Sequence, residues 1–223
     1  AMFFNVSRCC LNYELATRNK LDKSRFDLFA EHCNATIEGH GRITVTDAEI
    51  LHIYDRYPIL KTKANGFKMV GIVVRSAQEF RTYPHWKLVA EYFNRLTWLD
   101  NTSKKIVPII IDHEQTLEGF NCTNDLDIRE TIVLISQLDL VIGPDTGPMH
   151  VAGTLGIPTL WLFGPTDPRL RVGYYPEANV IWKPCNQNNA CWYDYCEKLN
   201  CLWKISPWEV VRKAKRILHA CST

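Results

Sequence analysis

A chain of 223 residues is long enough for one large domain or two small ones. Its hydrophobic fraction of 46% supports a buried core and excludes a wholly disordered protein. A formal net charge of only +2 gives no support to nucleic-acid binding. No apolar run reaches the roughly 18–20 residues that span a bilayer, and the first residues lack the pattern of a signal peptide. These features predict a soluble cytoplasmic protein.

The first 66 residues lack a regular alternation of strands and helices. Apolar side chains recur at helical spacing within residues 23–33, which predicts a helix there. A short strand is predicted over residues 42–45, and a second helix or turn begins at Asp47. We expect residues 1–66 to be a lead-in, either the remnant of an amino-terminal domain or an interdomain connection.

From Phe67 onward, short apolar runs alternate with amphipathic segments. Strands that alternate with helices predict an α/β domain with a doubly wound parallel sheet of the Rossmann-like kind. Residues 67–223 are therefore expected to form this single domain. The predicted strands are 68–74, 106–111, 138–142, 159–163 and 180–182.

Local signals predict where three helices begin. Asp127 with Glu130 three residues later forms a capping box, and so does Ser206 with Glu209. A further helix is expected to follow Pro84. The apolar face predicted for that helix consists of Leu88, Val89, Tyr92, Phe93 and Leu96.

Nine cysteines are many for a chain of this size. Because no secretion signal is predicted, reduced thiols are favoured over disulfide bonds. A metal site is the other alternative, but the spacing of the late cysteines is wider than the C-x2-C pairs of zinc ribbons. These clustered cysteines are Cys185, Cys191, Cys196 and Cys201.

Three of the predicted strands lead into segments rich in polar groups. In an open parallel sheet such segments meet in one cleft at the carboxyl edge. Backbone N–H groups at a helix start and a cation suit phosphates, whereas a carboxylate suits sugar hydroxyls. The combination predicts a nucleotide-sugar site, and the lack of G-x-G-x-x-G and Walker A sequences disfavours dinucleotide and kinase-type sites. The candidate residues are Ser76, Arg81, Glu114, Asp145, Thr146, Gly147 and His150.

Each charged candidate also has a purely structural alternative. Asp145 can cap the following helix, and His150 can be a buried core histidine. Arg81 can be a surface charge, and Glu114 an exposed loop acid. Most of the seven tryptophans are expected in core or interdomain packing, because a lipid- or glycan-binding surface would need them clustered.

A longer motif surrounds Asp145. Residues 142–152 read IGPDTGPMHVA, and LGIPT (155–159) and FGPT (163–166) follow. With RTYP at 81–84, these segments resemble the ADP-heptose:lipopolysaccharide heptosyltransferases of glycosyltransferase family 9. The resemblance covers residues 67–220, and more weakly 25–33 as an interdomain connection. It implies the carboxyl-terminal, donor-binding half of a GT-B fold, which has two Rossmann-like domains.

The resemblance also implies roles for the motif residues. Asp145 would accept hydrogen bonds from hydroxyls of the transferred sugar. Thr146 and Gly147 would hold the diphosphate, with His150 beside it.

The resemblance also implies roles for candidate residues that follow the other strands. Arg81 would bind phosphate and offset the charge on the leaving nucleoside diphosphate. Ser76 or Ala77 falls in the phosphate-loop position, and Glu114 would hold the ribose.

Two departures from the family pattern matter. Arg81 replaces a lysine, which keeps the charge but changes its geometry. Residues 1–66 are too short for the family's amino-terminal domain, which carries the catalytic base. No catalytic residue is therefore assigned, and the chain alone is expected to lack the base.

The implied activity is glycosyl transfer with inversion, from ADP-heptose or another nucleoside-diphosphate sugar to a saccharide or lipid-linked acceptor in lipopolysaccharide biosynthesis. No cofactor or metal is implied. The expected partners are the nucleotide sugar, the acceptor and an amino-terminal half or domain, without nucleic acid. The expected location is the cytoplasm, including a peripheral position at the inner face of the membrane. The alternative is a non-catalytic nucleotide-sugar-binding module that has lost the acceptor domain.

Overall fold

The structure is a computed structural model that describes residues 9–17, 22–39, 41–76, 81–99, 106–114, 117, 119–164, 166–184 and 201–220. The strands are β1 Lys68–Val73, β2 Ile106–Ile111, β3 Asn121–Cys122, β4 Leu140–Pro144, β5 Thr159–Phe163 and β6 Ala178–Trp182. The α-helices of the described residues are α1 Cys9–Ala16, α2 Arg25–His32, α3 Asp47–Arg56, α4 Trp86–Leu99, α5 Ile128–Ser136, α6 Gly147–Thr154, α7 Arg169–Val172 and α8 Pro207–Ala220. Short 3-10 helices occupy Pro58–Asn65 and Leu202–Lys204.

The six strands form one parallel sheet in the order β3-β2-β1-β4-β5-β6. All five strand pairs are parallel, with Ile72 of β1 opposite Ile110 of β2 on one side and Ile142 of β4 on the other. The predicted doubly wound α/β fold is thereby confirmed. The strand order reverses between β1 and β4, and ligands of such sheets bind in the crevice beyond this point.

Each face of the sheet is covered by its own helices. On one face α4 and α8 pack together, and Phe93 and Val210 are fully buried there. On the other face lie α3, α5 and α6, and the buried residues there include Met69 and Trp161.

Part of the lead-in packs directly on this second face. Ile53 of α3 and Leu60 of the following 3-10 helix are 0% and 1% exposed and belong to the same core as Met69. Residues 47–65 therefore share a core with the sheet.

Side-chain caps fix the starts of several helices. The predicted capping box of Asp127 and Glu130 is present at the start of α5. Thr46 and Glu49 form the same arrangement at α3, where a helix or turn was predicted. Because these caps satisfy backbone N–H groups locally, the sequence alone places the helix starts.

The prediction of a strand over residues 42–45 is wrong, because these residues form neither a strand nor a helix. The carbonyl oxygen of Thr44 instead accepts a hydrogen bond of 2.8 Å from Arg129. Val45 packs against the second core. A side-chain donor thus replaces the strand partner that the pattern implied.

Two further predictions need correction. Leu88 is 45% exposed, while its neighbour Val89 is fully buried, so the apolar face of α4 is narrower than predicted. Cys201 is disulfide-bonded, so the expectation of reduced thiols is wrong for this residue. The rest of the cysteine cluster, Cys185, Cys191 and Cys196, lies outside the described residues.

We also searched the described helices for one that could cross a bilayer. None combines the necessary length with sufficient hydropathy.

Candidate functional site

Asp145 lies at the carboxyl edge of the sheet, next to the point where the strand order reverses. It follows directly on β4, which ends at Pro144, and precedes α6. It is only 6% exposed. A carboxylate this buried must be stabilised by hydrogen bonds and opposite charges.

Three side chains supply this stabilisation. The Oδ1 atom lies 3.1 Å from Nε2 of His150, and Oδ2 lies 3.3 Å from both Nη1 of Arg81 and Nε of Arg171. We call Asp145, His150, Arg81 and Arg171 the Asp145 cluster. Burial raises the pKa of Asp145, but the His150 hydrogen bond and the charges of Arg171 and Arg81 outweigh it and lower the pKa to about 2. The carboxylate is therefore ionised throughout the physiological range.

This geometry excludes the alternative that Asp145 serves only to cap the following helix. The N-cap of α6 is Thr146, and the Asp145 carboxylate bonds to side chains rather than to the helix start. Arg81 is likewise no surface charge, since its side chain is 15% exposed and also donates to the Asp145 carbonyl oxygen at 3.4 Å.

Arg171 was missed by the sequence analysis. It belongs to the four-residue helix α7, and its side chain is 2% exposed, whereas that of Arg169 is 81% exposed. A helix of four residues has no periodicity from which to separate a buried from an exposed arginine. Arg171 and Asp145 are 26 positions apart in the sequence, so no local motif reveals their contact.

His150 is held on both ring nitrogens. Its Nδ1 atom lies 2.9 Å from the Tyr175 hydroxyl, and its Nε2 atom faces Asp145. Since an ionised carboxylate only accepts, Nε2 carries a proton and donates it in a hydrogen bond to Asp145. The side chain is 34% exposed, so the alternative of a buried core histidine is wrong.

Aromatic packing fixes this orientation. The Tyr175 ring stacks on Trp161 with centroids 6.0 Å apart and an interplanar angle of 6°. It also lies flat against Gly153 of α6, where an added Cβ atom would be 2.6 Å from the ring. Only glycine allows the ring this position, from which its hydroxyl reaches His150.

The start of α6 is suited to an anion. Thr146 makes no side-chain cap there, and its hydroxyl donates to the Pro144 carbonyl oxygen at 3.3 Å. The backbone N–H of Gly147 lies in the first turn of α6, at the positive end of the helix dipole, where an anion can bind.

A second polar group lies at the ends of β1 and β2. Arg75 contacts Glu114 at 2.6 Å and the buried Asp112 at 3.4 Å. Glu114 is 63% exposed and Arg75 46%. The candidate Glu114 is thus paired with Arg75, outside the Asp145 cluster.

Cavities flank both groups. One of about 290 Å³ is lined by His150 and Arg171. Another of about 460 Å³ is lined by Arg75, Ser76 and Trp86. Among the described residues, the buried Trp86 indole N–H has no hydrogen-bond acceptor.

No group of three or more His, Cys, Asp or Glu side chains in the described ranges could hold a metal ion. Cys185, Cys191 and Cys196 lie outside those ranges. The donors of the Asp145 cluster suit an organic anion and hydroxyl groups rather than a cation, because two arginines already neutralise the carboxylate.

Comparison with known proteins assigns the family. A model described as glycosyltransferase family 9 (heptosyltransferase) matches residues 26–201. The chain belongs to glycosyltransferase family 9. The family match begins well before residue 67, so it includes most of the lead-in.

Individual relatives agree with this assignment. A lipopolysaccharide core heptosyltransferase of Haemophilus influenzae is 34% identical over 61 residues, which are 27% of this chain and 18% of that protein. A family 9 glycosyltransferase structure from Veillonella parvula has a TM-score of 0.67 at 19% identity, over 89% of this chain and 61% of that one. The structure of the ADP-heptose lipopolysaccharide heptosyltransferase II of E. coli has a TM-score of 0.62 at 18% identity. The similarity covers 82% of this chain and 54% of that one. The chain spans less than two thirds of the length of each of these proteins.

Proposed function

We propose that this family 9 chain supplies the donor site of a heptosyltransferase-like enzyme that binds a nucleoside-diphosphate sugar. The supporting observation is the Asp145 cluster, an ionised and buried carboxylate at the reversal point of the sheet. We further propose residues 67–223 as the donor-binding domain and residues 1–66 as the lead-in to it.

Asp145 accepts hydrogen bonds from hydroxyl groups of the sugar. Its carboxylate has lone pairs beyond the three contacts described, and an acceptor that stays ionised suits a polyol. ADP-heptose is the proposed donor because the family and its relatives are heptosyltransferases.

The diphosphate lies against the start of α6. The N–H groups at Gly147, with Thr146 and His150 beside them, bind its oxygens. Arg81, whose Nη1 atom lies 3.3 Å from Asp145, offsets the charge that develops on the leaving nucleoside diphosphate.

The nucleoside extends toward β1 and β2. Ser76 lines the cavity of about 460 Å³ there, together with Arg75 and Trp86. Glu114, which is exposed and held by Arg75, accepts hydrogen bonds from the ribose hydroxyls.

Transfer by direct displacement inverts the anomeric centre and needs a base for the acceptor hydroxyl. Asp145 is unsuited to that role, since a carboxylate with a pKa of about 2 is a weak base. We therefore propose that the base comes from an amino-terminal domain of the enzyme. Family membership supports a transferase, with a saccharide or lipid-linked acceptor, over a non-catalytic binding module.

Isothermal titration with ADP, UDP and ADP-heptose tests the donor site. We expect ADP-heptose to bind. In the Asp145→Asn variant the sugar should contribute little to the binding free energy, so that the affinities for ADP and ADP-heptose become similar. The matched control is Asp55→Asn, because Asp55 is 79% exposed. Absence of binding of all three ligands at millimolar concentration contradicts the proposal.

A further inference from the structure

The outer surface of α4 and α8 carries unusually exposed apolar side chains. Six large hydrophobic residues of the described part are exposed, and three of them lie on this surface. These are Leu88 at 45%, Trp203 at 59% and Trp208 at 53%.

The three residues belong to one continuous strip. Trp203 packs edge-on against His85 with centroids 5.4 Å apart, and Trp208 packs against Tyr92 at 6.2 Å. His85 directly precedes α4, and Leu88 and Tyr92 follow within it at helical spacing, so that the three span about 10 Å. We call these five residues the aromatic strip. Trp203 and Trp208 are thus exceptions to the expectation of core packing, which Trp86 and Trp161, at 4% and 0% exposed, follow.

Basic residues surround the aromatic strip. Helices α4 and α8 contain six lysines and arginines against two glutamates. Lys204 is exposed beside Trp203, and Arg212 is exposed one turn after Trp208. Of the two acids, Glu209 forms an ion pair with Lys183 at 3.3 Å. The surface is therefore cationic, although the whole chain has a charge of only +2.

We propose that the aromatic strip docks this protein on an anionic membrane surface. Tryptophan has an apolar body and a polar N–H group, and it prefers the boundary between lipid headgroups and acyl chains. Flanking lysines and arginines are attracted to anionic headgroups. A second copy of the chain fits less well, because two cationic surfaces would face each other.

Docking there would also bring lipid close to the candidate site. The Tyr83 hydroxyl donates to the Ile205 carbonyl oxygen at 2.9 Å, which ties the start of α4 to the segment before α8. Tyr83 lines the same cavity as Ser76, at the carboxyl edge of the sheet. A lipid-linked acceptor would meet the protein at this edge; this consequence rests on the proposed function, whereas the docking does not.

Vesicle flotation tests the proposal, with phosphatidylcholine vesicles that contain or lack phosphatidylglycerol. We expect binding only to the anionic vesicles, and at least about tenfold weaker binding for the double variant Trp203→Ser, Trp208→Ser. The matched control is Leu51→Ser with Ile128→Ser, since these side chains are 63% and 82% exposed on the opposite side of the sheet. ADP affinity and the circular dichroism spectrum should be the same in all three proteins.

A charge variant tests the same surface independently. Lys204→Glu with Arg212→Glu should weaken binding to anionic vesicles and remove its salt dependence. Lys61→Glu with Arg42→Glu, both exposed on other elements, should leave binding unchanged.

Two outcomes overturn the proposal. One is equal flotation of the chain and the tryptophan variant, or no flotation at all. The other is a lipid-free dimer, measured by light scattering, that the tryptophan variant dissociates, because the aromatic strip would then serve a second copy.

Discussion

Two polar groups lie at the carboxyl edge of the sheet, the Asp145 cluster and the pair of Arg75 and Glu114. They differ in how firmly the fold holds their side chains in place before any ligand binds. Asp145 is 6% exposed and has three charged or polar partners, whereas Glu114 is 63% exposed and is held by Arg75. The Asp145 cluster is thus preorganised by the fold, while the pair of Arg75 and Glu114 is free to adjust. If the proposed roles hold, the sugar site is built before a donor binds and the ribose site is completed on binding.

The difference predicts a gradient of mutational effects. Removing one partner from a buried charged group leaves the others desolvated and uncompensated. Removing one partner of an exposed pair changes stability little, because water and salt replace it.

The largest effect is expected for Asp145→Ala. It leaves the buried Arg81 and Arg171 without their carboxylate, so we expect a loss of about 3 kcal/mol in the free energy of unfolding. Urea denaturation measures this loss, and Asp55→Ala, at an exposed position, should change stability by less than about 0.5 kcal/mol. Equal effects of the two substitutions would show that the Asp145 cluster is not preorganised.

Arg171→Met should rank second. The carboxylate keeps Arg81 and His150, so we expect a loss of about 2 kcal/mol in stability. ADP-heptose affinity should fall about tenfold, since Asp145 loses one positioning contact. The control is Arg169→Met two residues away, whose side chain is 81% exposed. If the two variants behave alike in denaturation and titration, Arg171 has no special role.

Acid should weaken the Asp145 cluster selectively. The pKa of Asp145 is about 2 in the folded chain and near 3.8 unfolded, so its contribution is complete above pH 4 and lost as the pH falls toward 2. The shift corresponds to about 2 kcal/mol. The stability difference between the chain and Asp145→Asn should shrink by that amount between pH 5 and pH 2, as urea denaturation at several pH values can measure. A difference that stays constant contradicts the lowered pKa.

The smallest effect is expected for Glu114→Gln. Stability should change by less than about 0.5 kcal/mol, because the side chain is exposed. ADP affinity should fall by less than about tenfold. Titration with 2′,3′-dideoxy-ADP sharpens the test, since the substitution should not affect an analogue without ribose hydroxyls. An equal loss for both nucleotides would exclude ribose contact by Glu114.

Sequence reasoning succeeded where the determining interactions are local. The strands Ile106–Ile111 and Thr159–Phe163 were predicted at their observed bounds, since short apolar runs between turns mark buried parallel strands. The capping box at Asp127 was predicted for the same reason, as its two hydrogen bonds lie within four residues.

Sequence reasoning failed where segments that are distant in the sequence meet. Arg171 and Tyr175 reach the candidate site from beyond β5, and no spacing rule connects them with Asp145. The carbonyl oxygen of Thr44 accepts a hydrogen bond from Arg129, 85 positions further along the chain. A local β pattern cannot reveal this contact. The roles of Ser76, Arg81, Glu114, Asp145, Thr146, Gly147 and His150 in donor binding stay predictions.

Gly153 shows how packing controls the position of His150. It has no side chain, and the Tyr175 ring rests on it with its hydroxyl 2.9 Å from Nδ1 of His150. A methyl group at position 153 would push the ring away and remove this contact, so that the contact of Nε2 with Asp145 would have to orient the imidazole without it. A substitution at a residue without any reactive group can therefore loosen the histidine that faces the buried carboxylate.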